Sequence, residues 1–263
     1  MKYTALNILA TFGIAVTRCV DVQLVRRLIE RLHPVVTDKK LIRIGGEGDG
    51  GYLVPDDLGD IAAAFSPGVG RAATFEAALL TRGIPCYLTD ASIAAPPIAD
   101  TLVHFERKFL GVVNDDATVT LDAWVKTCAP PNGDLILQMD IDGAEWLVFL
   151  NVSDEVLKRF RIIVVELHSL ERLFDKTGYE LMSAALVRLL RHFHVVHNHP
   201  NNVARPLKAK GITIPRLLEV TFLRQDRAHI IGYANRFPHP LDRKNVPDRS
   251  DLFLPADWYC TGT

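Results

Sequence analysis

The sequence predicts a doubly wound, Rossmann-like α/β domain with an antiparallel last strand, preceded by an N-terminal helical extension. Short apolar runs, such as residues 134–139 and 161–165, alternate with segments of helical periodicity, the pattern of a parallel sheet covered by helices. The last two predicted strands, 194–199 and 217–226, flank a loop rich in proline, glycine and asparagine. Because such a loop cannot form a crossover helix, we expect these two strands to pair antiparallel.

The elements follow in chain order from periodicity and from helix-ending residues. Apolar residues recur at steps of four from Val20 to Leu32, which indicates an amphipathic helix over 20–33 that Pro34 ends. The sequence then predicts two short strands around a glycine turn at 43–57, a strand and glycine loop at 61–70, a helix at 73–83, strands at 84–90 and 102–111, a helix at 120–128, a strand at 134–140, a helix at 153–160, a strand at 161–168 and a long helix at 178–193.

Composition limits the classes of function. The chain has 263 residues, 48% of them hydrophobic and 23% charged, which is typical of a globular protein. A net charge of −1 gives no reason to expect nucleic acid or an anionic membrane surface as a partner. The four cysteines are scattered without a CxxC pair, which favours reduced thiols and a cytoplasmic location. The oligomeric state stays open, a homo-oligomer included.

The first twenty residues are fairly apolar, but the run is too short and too often interrupted to span a bilayer. We expect a packed helix there, with a signal peptide or a monotopic anchor as the alternatives. The predicted organisation is an N-terminal helical extension at 1–40, a catalytic domain at 41–235, and a proline-rich C-terminal tail at 236–263 that packs on the domain.

A glycine loop predicts an adenosine site. Ser66, Gly68 and Gly70 lie between a strand and a helix, where glycines let a ligand approach the backbone. Asp90 ends the next strand, where a carboxylate can accept both hydroxyls of a ribose. Together with Ala73 the loop also fits the looser dinucleotide pattern G-x-G-x-x-A, so NAD competes as ligand. The long preceding extension, the missing second nucleotide-binding half and the antiparallel last strand favour S-adenosylmethionine.

Two neighbouring strands end in ionisable residues. Asp140 and Asp142 follow one strand, and Glu166 and His168 end the next, each pair at a spacing of two that aims both side chains the same way. These four groups could hold a hard cation such as magnesium or manganese, or form a metal-free base with orienting acids. Glu145 is interpreted as the capping-box partner of an Asp142 N-cap.

A polar cluster follows the strand at 194–199. His197, His199, Asn201 and Asn202 are interpreted as groups that recognise a hydroxyl-rich substrate. The alternative is ordinary turn chemistry, because asparagine and proline favour loops.

The motifs resemble those of FkbM-type methyltransferases, and most closely the bacterial branch associated with surface and capsular polysaccharides. The resemblance spans residues 40–250, and its most specific parts are DIDGAEW and the Asn-Asn segment. It rests on IGGEGDGGYLVPDD, FSPGVG, LTDAS, TLDAW, QMDIDGAEW, VVELH, HNHPNN and LLEVTFLR, in this order. It implies the class I methyltransferase fold, S-adenosylmethionine as cofactor and a hydroxyl of a sugar or polysaccharide precursor as methyl acceptor.

The resemblance also implies roles for individual residues. Gly68 and Gly70 would face the methionine part of the cofactor, and Asp90 would bind its ribose. Asp140 would lie beside the sulfonium. The segment that would cover the cofactor near its carboxylate consists of Asp49, Gly50, Gly51 and Tyr52.

The acceptor would face Asp142, Glu166 and His168. His168 is the first candidate base, oriented by Glu166 or Asp142, and His197 or His199 is the second. Asp142-Gly143 departs from the Glu-Gly of many relatives, which affects the reach of the carboxylate but not its chemistry. Two other classes compete: an NAD-dependent sugar-modifying oxidoreductase, and a cofactor-sensing or scaffold domain without turnover.

Overall fold

The computed structural model describes residues 17–261, so most of the helix predicted at 1–20 lies outside the described residues. Six α-helices are described: α1 Val22–Glu30, α2 Thr74–Leu80, α3 Leu121–Cys128, α4 Glu145–Asn151, α5 Asp154–Leu157 and α6 Lys176–Leu189. The strands are β1 Val35–Thr37, β2 Leu41–Ile44, β3 Tyr52–Pro55, β4 Ile61–Pro67, β5 Cys86–Thr89, β6 Val103–Glu106, β7 Phe109–Gly111, β8 Thr118–Thr120, β9 Asp134–Met139, β10 Phe160–Leu167, β11 Phe193–Pro200, β12 Leu207–Ala209, β13 Ile212–Ile214, β14 Leu218–Arg224 and β15 Ile230–Tyr233.

A seven-stranded sheet in the order β11-β14-β10-β9-β4-β5-β6 forms the centre of the molecule. From β10 to β6 neighbouring strands are parallel, whereas β14 pairs antiparallel with both β10 and β11. The doubly wound sheet with an antiparallel last strand is therefore confirmed. The chain reverses direction across the sheet between β4 and β9, and ligands of such sheets bind at the carboxyl ends of the strands beside this reversal.

Two apolar cores cover the two faces of the sheet. The alternation of strand side chains explains the division, because Ile163 and Val165 of β10 face one core while Ile162 and Val164 face the other. No helix within residues 17–261 is long and apolar enough to cross a membrane.

The helix predicted at 20–33 is confirmed as α1. The Asp21 side chain caps it by accepting the backbone N–H of Gln23 at 2.9 Å. The segment before residue 40 also contains β1, which pairs with β15 near the far end of the predicted catalytic domain. The N-terminal extension thus contains a strand as well as a helix, and the domain boundaries stay predictions.

The strand predicted at 102–111 is two strands, because a turn closed by the Lys108 N–H and the Glu106 carbonyl interrupts it. The first, β6, ends the central sheet, whereas β7 leaves it and pairs with β8. The prediction that no helix joins β11 and β14 is confirmed. A small hairpin of β12 and β13 lies there, turning at Lys210 and Gly211, both with positive φ.

The C-terminal segment contacts the rest of the chain through Trp258 and Asp257. Trp258 is fully buried in one of the cores, and its indole N–H donates to the Thr213 carbonyl at 2.9 Å. Asp257 accepts from the Arg26 guanidinium at 2.9 Å and from the Thr213 N–H at 3.2 Å. The tail therefore joins α1 to β13.

Truncating Trp258 tests this anchoring. We expect Trp258→Ala to lower the free energy of unfolding by about 3–5 kcal/mol, because it removes a buried indole and leaves a cavity. Phe253→Ala is the matched control, since this tail side chain is 67% exposed and its loss should cost less than about 0.5 kcal/mol. Urea denaturation measures both, and equal losses would show that the tail is not anchored through Trp258.

Candidate active site

Two adjoining cavities open at the carboxyl ends of β4 and β9, where the chain reverses across the sheet. The larger has a volume of about 380 Å³ and the smaller about 200 Å³. Gly68, Gly70 and Asp140 line both, so the glycine loop and the end of β9 separate the two spaces. A single elongated ligand can therefore lie across the loop with one part in each cavity.

Gly68 makes the closest approach in this site. Its φ is +77°, and a Cβ there would lie 1.8 Å from the carbonyl oxygen of Asp140. Only glycine fits, because a side chain would collide with backbone. Gly70, at φ +57°, directs its N–H at Asp90 Oδ2 over 2.9 Å. The loop and the end of β5 are thus joined directly.

The larger cavity has an oriented carboxylate on its wall. Asp90 is buried, and its Oδ1 accepts the backbone N–H of Ser92 at 2.7 Å and the Ser92 hydroxyl at 2.6 Å. Phe109, half exposed, adds an aromatic surface. The other walls are Thr89, Leu110, Ile141, Asp142 and Ala144. A flat apolar surface beside a fixed carboxylate suits a nucleoside.

The smaller cavity has several acidic side chains and one basic side chain on its walls. Its walls include Asp49, Gly50, Tyr52, Arg71, Glu76 and Gln138. Burial raises the pKa of the Glu76 carboxyl, which contacts the Ser66 hydroxyl beneath the cavity. Glu76 and Gln138 were not predicted as site residues, although a glutamate at a buried position of helix α2 and a glutamine inside a buried strand both indicate function.

Of the nine residues predicted to bind the cofactor, seven line the cavities: Asp49, Gly50, Tyr52, Gly68, Gly70, Asp90 and Asp140. Ser66 lies below the wall, where its hydroxyl donates to Gln138 Oε1 at 2.6 Å. Gly51 lies in the turn, where a Cβ would meet the Gly46 carbonyl oxygen at 2.1 Å. These two residues support the walls of the site without lining either cavity.

His168 is the centre of the predicted acidic edge. Its Nε2 lies 3.7 Å from Asp140 Oδ1, 3.8 Å from Glu166 Oε1 and 3.9 Å from Asp142 Oδ1. Asp140, Asp142 and His168 are close enough to share a metal ion. The structure therefore brings together all four residues that sequence analysis placed at this edge.

The Glu145 carboxylate contacts His168 Nδ1, which corrects the prediction that the side chain of Glu166 or Asp142 orients this ring. The backbone carbonyl oxygen of Glu166 lies 3.1 Å from the same nitrogen. The fully buried Glu145 Oε1 lies 3.0 Å from His168 Nδ1. The same oxygen accepts the N–H groups of Ile141 and Gly143 at 3.0 and 3.2 Å. The shared carboxylate fixes the turn after β9 and the imidazole ring together.

Asp142 is not the N-cap of the following helix, which corrects the interpretation of Glu145 as a capping-box partner. Helix α4 begins at Glu145, and its capping residue Ala144 makes no side-chain bond. Asp142 adopts φ +55° and its side chain is fully exposed. The left-handed turn at Asp142 and Gly143 is the physical reason, because it points Glu145 inward and Asp142 toward solvent.

The acids around His168 shift its titration. Burial alone would lower the pKa of His168, but the Glu145 hydrogen bond and the charges of Glu145, Glu166 and Asp140 raise it to about 9. Burial raises the pKa of Asp140 to about 6. Burial and the charges of Asp140 and Glu219 raise the pKa of Glu166. At neutral pH the free protein therefore holds protons in this cluster.

The residues predicted to bind substrate lie within or directly after β11, not in an open loop. His197 Nε2 pairs with Asp242 Oδ1 of the tail at 2.8 Å, and Asn202 donates to the Val246 carbonyl and accepts its N–H. Both side chains thereby hold the tail. Asn201 instead donates to the Glu166 carboxylate at 3.1 Å, beside the acidic edge.

His199 also contacts Asp242, and no pattern in the sequence predicts this contact. His199 Nδ1 lies 3.7 Å from Asp242 Oδ2. Burial opposes ionisation of Asp242, but its contacts with His197 and His199 hold the pKa of this carboxyl well below its usual range. Burial alone would lower the pKa of His199, but the hydrogen bond and charge of Asp242 raise it.

Titration of His168 tests the electrostatics of the site without any substrate. In chelator-treated protein, the NMR chemical shift of His168 should report a pKa of about 9 instead of the usual 6.5. Asp140→Asn should lower that pKa, because it removes a carboxylate 3.7 Å from His168 Nε2 whose charge raises the pKa of the ring. Asp116→Asn, an exposed change elsewhere, should leave it unchanged. A midpoint near 6.5 in the wild type would contradict this electrostatic account.

Comparison with known proteins gives distant similarities. No protein-family model matches the chain, and no curated protein matches it. Among solved structures the chain is similar to 1,6-didemethyltoxoflavin-N1-methyltransferase of Burkholderia thailandensis, crystallised with 1,6-didemethyltoxoflavin and S-adenosylhomocysteine, at 15% identity and a TM-score of 0.32 over 64% of this chain and 72% of that chain. It is also similar to a TehB-like SAM-dependent methyltransferase from Corynebacterium glutamicum, at 10% identity and a TM-score of 0.29 over 85% of this chain and 96% of that chain. The doubly wound fold is defined by the sheet order itself.

Proposed function

We propose that this protein is an S-adenosylmethionine-dependent O-methyltransferase that acts on a hydroxyl of a sugar or polysaccharide precursor. The main support for this proposal is the charge of the side chains that line the cleft. Among the described residues, the walls of the two cavities carry five carboxylates and one guanidinium, that of Arg71. Such walls favour a ligand with a positive charge and no phosphate, as a sulfonium nucleoside is.

The shape of the cleft fits this cofactor. The larger cavity, with Asp90 and Phe109 on its walls, would take the adenosine. The smaller cavity would take the amino-acid end, because Arg71 can pair with a carboxylate and Asp49 or Glu76 with an ammonium group. Asp140 lies on the walls of both cavities, at the place where the sulfonium would lie.

S-adenosylmethionine supplies a methyl group that is already activated on sulfur, and its transfer to a hydroxyl oxygen leaves a neutral thioether. The residues of the chain then have two tasks: to align the acceptor and to remove its proton. His168 Nε2 would take that proton, since its ring is held by Glu145 and faces the end of the cleft. With a pKa of about 9 the free ring is protonated at neutral pH, so His168 must lose that proton before it can act as base. The positive charge of a bound sulfonium would lower the pKa of His168 and so favour the neutral ring that the reaction needs.

The choice of a hydroxyl-rich acceptor is supported by the polar side chains next to His168. Glu166 and Asn201 form a buried, hydrogen-bonded pair at this edge, and carboxylates and amides are the groups that bind sugar hydroxyls. The resemblance to FkbM-type methyltransferases supports the same acceptor class.

The NAD-dependent oxidoreductase is the weaker alternative. A dinucleotide needs a second parallel half-sheet for its second nucleotide. On that side of the reversal the sheet instead has the antiparallel strand β14 between β10 and β11. The acidic walls would also repel a pyrophosphate.

Calorimetric titration with S-adenosylhomocysteine tests the cofactor. We expect micromolar binding to the wild type and none of NAD. Asp90→Asn should weaken binding by about 10- to 100-fold, because hydrogen bonds to a charged carboxylate are worth about 1.5–3 kcal/mol. Asp116→Asn is the matched control and should bind like the wild type. Binding of NAD instead of S-adenosylhomocysteine would overturn the methyltransferase proposal.

Methyl transfer to a panel of sugar acceptors tests the base. We expect His168→Ala to lower kcat by about 10²- to 10⁴-fold, as loss of a general base does, while S-adenosylhomocysteine binds as in the wild type. Glu145→Gln should lower kcat less, because the amide oxygen can still accept from the imidazole N–H. Cofactor binding without transfer to any hydroxyl would favour the sensing or scaffold class.

A further inference from the structure

A second group of carboxylates lies beside the proposed acceptor site. Glu166 and Glu219 are opposite each other on the antiparallel strands β10 and β14. Asp49, on the glycine-rich loop between β2 and β3, completes the group, and one oxygen of each carboxylate lies within 4.8 Å of the other two. Glu166 and Glu219 are only 4% and 6% exposed, whereas Asp49 is exposed.

The two buried glutamates lack a cationic partner of lysine or arginine. Neither forms an ion pair with such a side chain within residues 17–261, and the described ion pair of Glu166 is with His168, whose Nε2 lies 3.8 Å from Glu166 Oε1. The guanidinium of Arg43, in the same region, donates to the carbonyls of Gly46 and Gly48 instead. Two buried carboxylates at this distance repel each other unless a proton or a cation lies between them.

Two polar atoms next to this group have no hydrogen-bond partner. Asn245, from the tail, donates its amide N–H to Glu219, and its own Oδ1 is buried and unpartnered. His199 is opposite Glu219 on β11, and its Nε2, an N–H donor in the imidazolium form that Asp242 favours, is likewise buried and unpartnered. Asn245 is 7% exposed and His199 4% exposed. Unpaired buried acceptors are costly, so Asn245 Oδ1, on a side chain that reaches Glu219, indicates a place for an electropositive ligand beside the carboxylates.

We propose that Asp49, Glu166 and Glu219 bind a divalent cation, with Asn245 Oδ1 as a further oxygen ligand. Carboxylate and amide oxygens favour a hard ion such as magnesium, manganese or calcium. This site differs from the set Asp140, Asp142, Glu166 and His168, which sequence analysis considered for a metal. In that set a cation would occupy His168 Nε2, the atom that the proposed reaction needs as base.

The cation has a structural consequence for the cofactor cleft. Asp49 and Gly50 line the smaller cavity, while Glu166 and Glu219 belong to the rigid sheet. An ion held by all three carboxylates ties the glycine-rich loop to the sheet and orders that wall of the cavity. Binding of the cation and of the cofactor is then mutually favourable. This coupling rests on the proposed function, whereas the cation site does not.

Electron paramagnetic resonance of Mn²⁺ measures the site directly in the full chain. We expect one bound ion per wild-type chain, displaced by Mg²⁺ or Ca²⁺. Glu219→Gln and Asp49→Asn should each weaken Mn²⁺ binding by roughly 10-fold or more, because each removes a charged ligand. Asp142→Asn is the matched control from the other acidic set and should bind Mn²⁺ like the wild type. Circular dichroism confirms folding, and Asp49 is exposed, so its variant should fold normally.

Two outcomes would overturn the cation site. One is a wild type that binds no Mn²⁺, which means that protons alone neutralise the two glutamates. The other is Mn²⁺ binding that is lost in Asp142→Asn or His168→Ala and kept in Glu219→Gln. The coupling predicts that S-adenosylhomocysteine binds more tightly with Mn²⁺ in the wild type and equally with and without it in Glu219→Gln. If S-adenosylhomocysteine does not bind at all, the proposed function fails while the Mn²⁺ result stands.

Discussion

The buried carboxylate of Glu145 is the interaction on which the proposed active site depends. A single oxygen accepts from two backbone N–H groups of the turn after β9 and contacts the imidazole of His168. The next residue, Trp146, donates its indole N–H to the His168 carbonyl at 3.0 Å. Adjacent residues of one helix therefore hold both the ring and the backbone of His168. This double restraint aligns the ends of β9 and β10, from which Asp140 and Glu166 project.

The fold could be predicted from the sequence because the patterns that indicate each strand and helix are local. Apolar runs, glycine loops and breakers define each strand or helix within a few residues, and β4 with its glycine loop and α6 lie where they were predicted. The four residues at the acidic edge were found for the same reason, since strand ends meet at one edge of a parallel sheet. The strand at 102–111 was misjudged because the charged pair of Arg107 and Lys108 permits a turn that periodicity does not reveal.

The parts of the site that could not be predicted from the sequence depend on contacts between segments that are distant along the chain. Glu145 was interpreted as a cap because its sequence spacing fits one, and only the left-handed backbone at Asp142 sends it to His168. Asp242 and Asn245 come from the tail, which carries no regular pattern, yet Asp242 contacts β11 and Asn245 contacts β14. Glu219 had a local signal, because it is polar at a buried position of an otherwise apolar strand, but its partner Glu166 is 53 residues away.

The insertion of β14 between β10 and β11 also shapes how the chain must be synthesised. While β10 and β11 emerge from the ribosome, their eventual common neighbour has not been made, and the open edge of β10 offers unpaired N–H and C=O groups to other chains. A nascent or truncated chain that ends before residue 218 therefore exposes the unpaired edge of β10. The exposure ends when β14 is made and pairs with β10 on one side and β11 on the other.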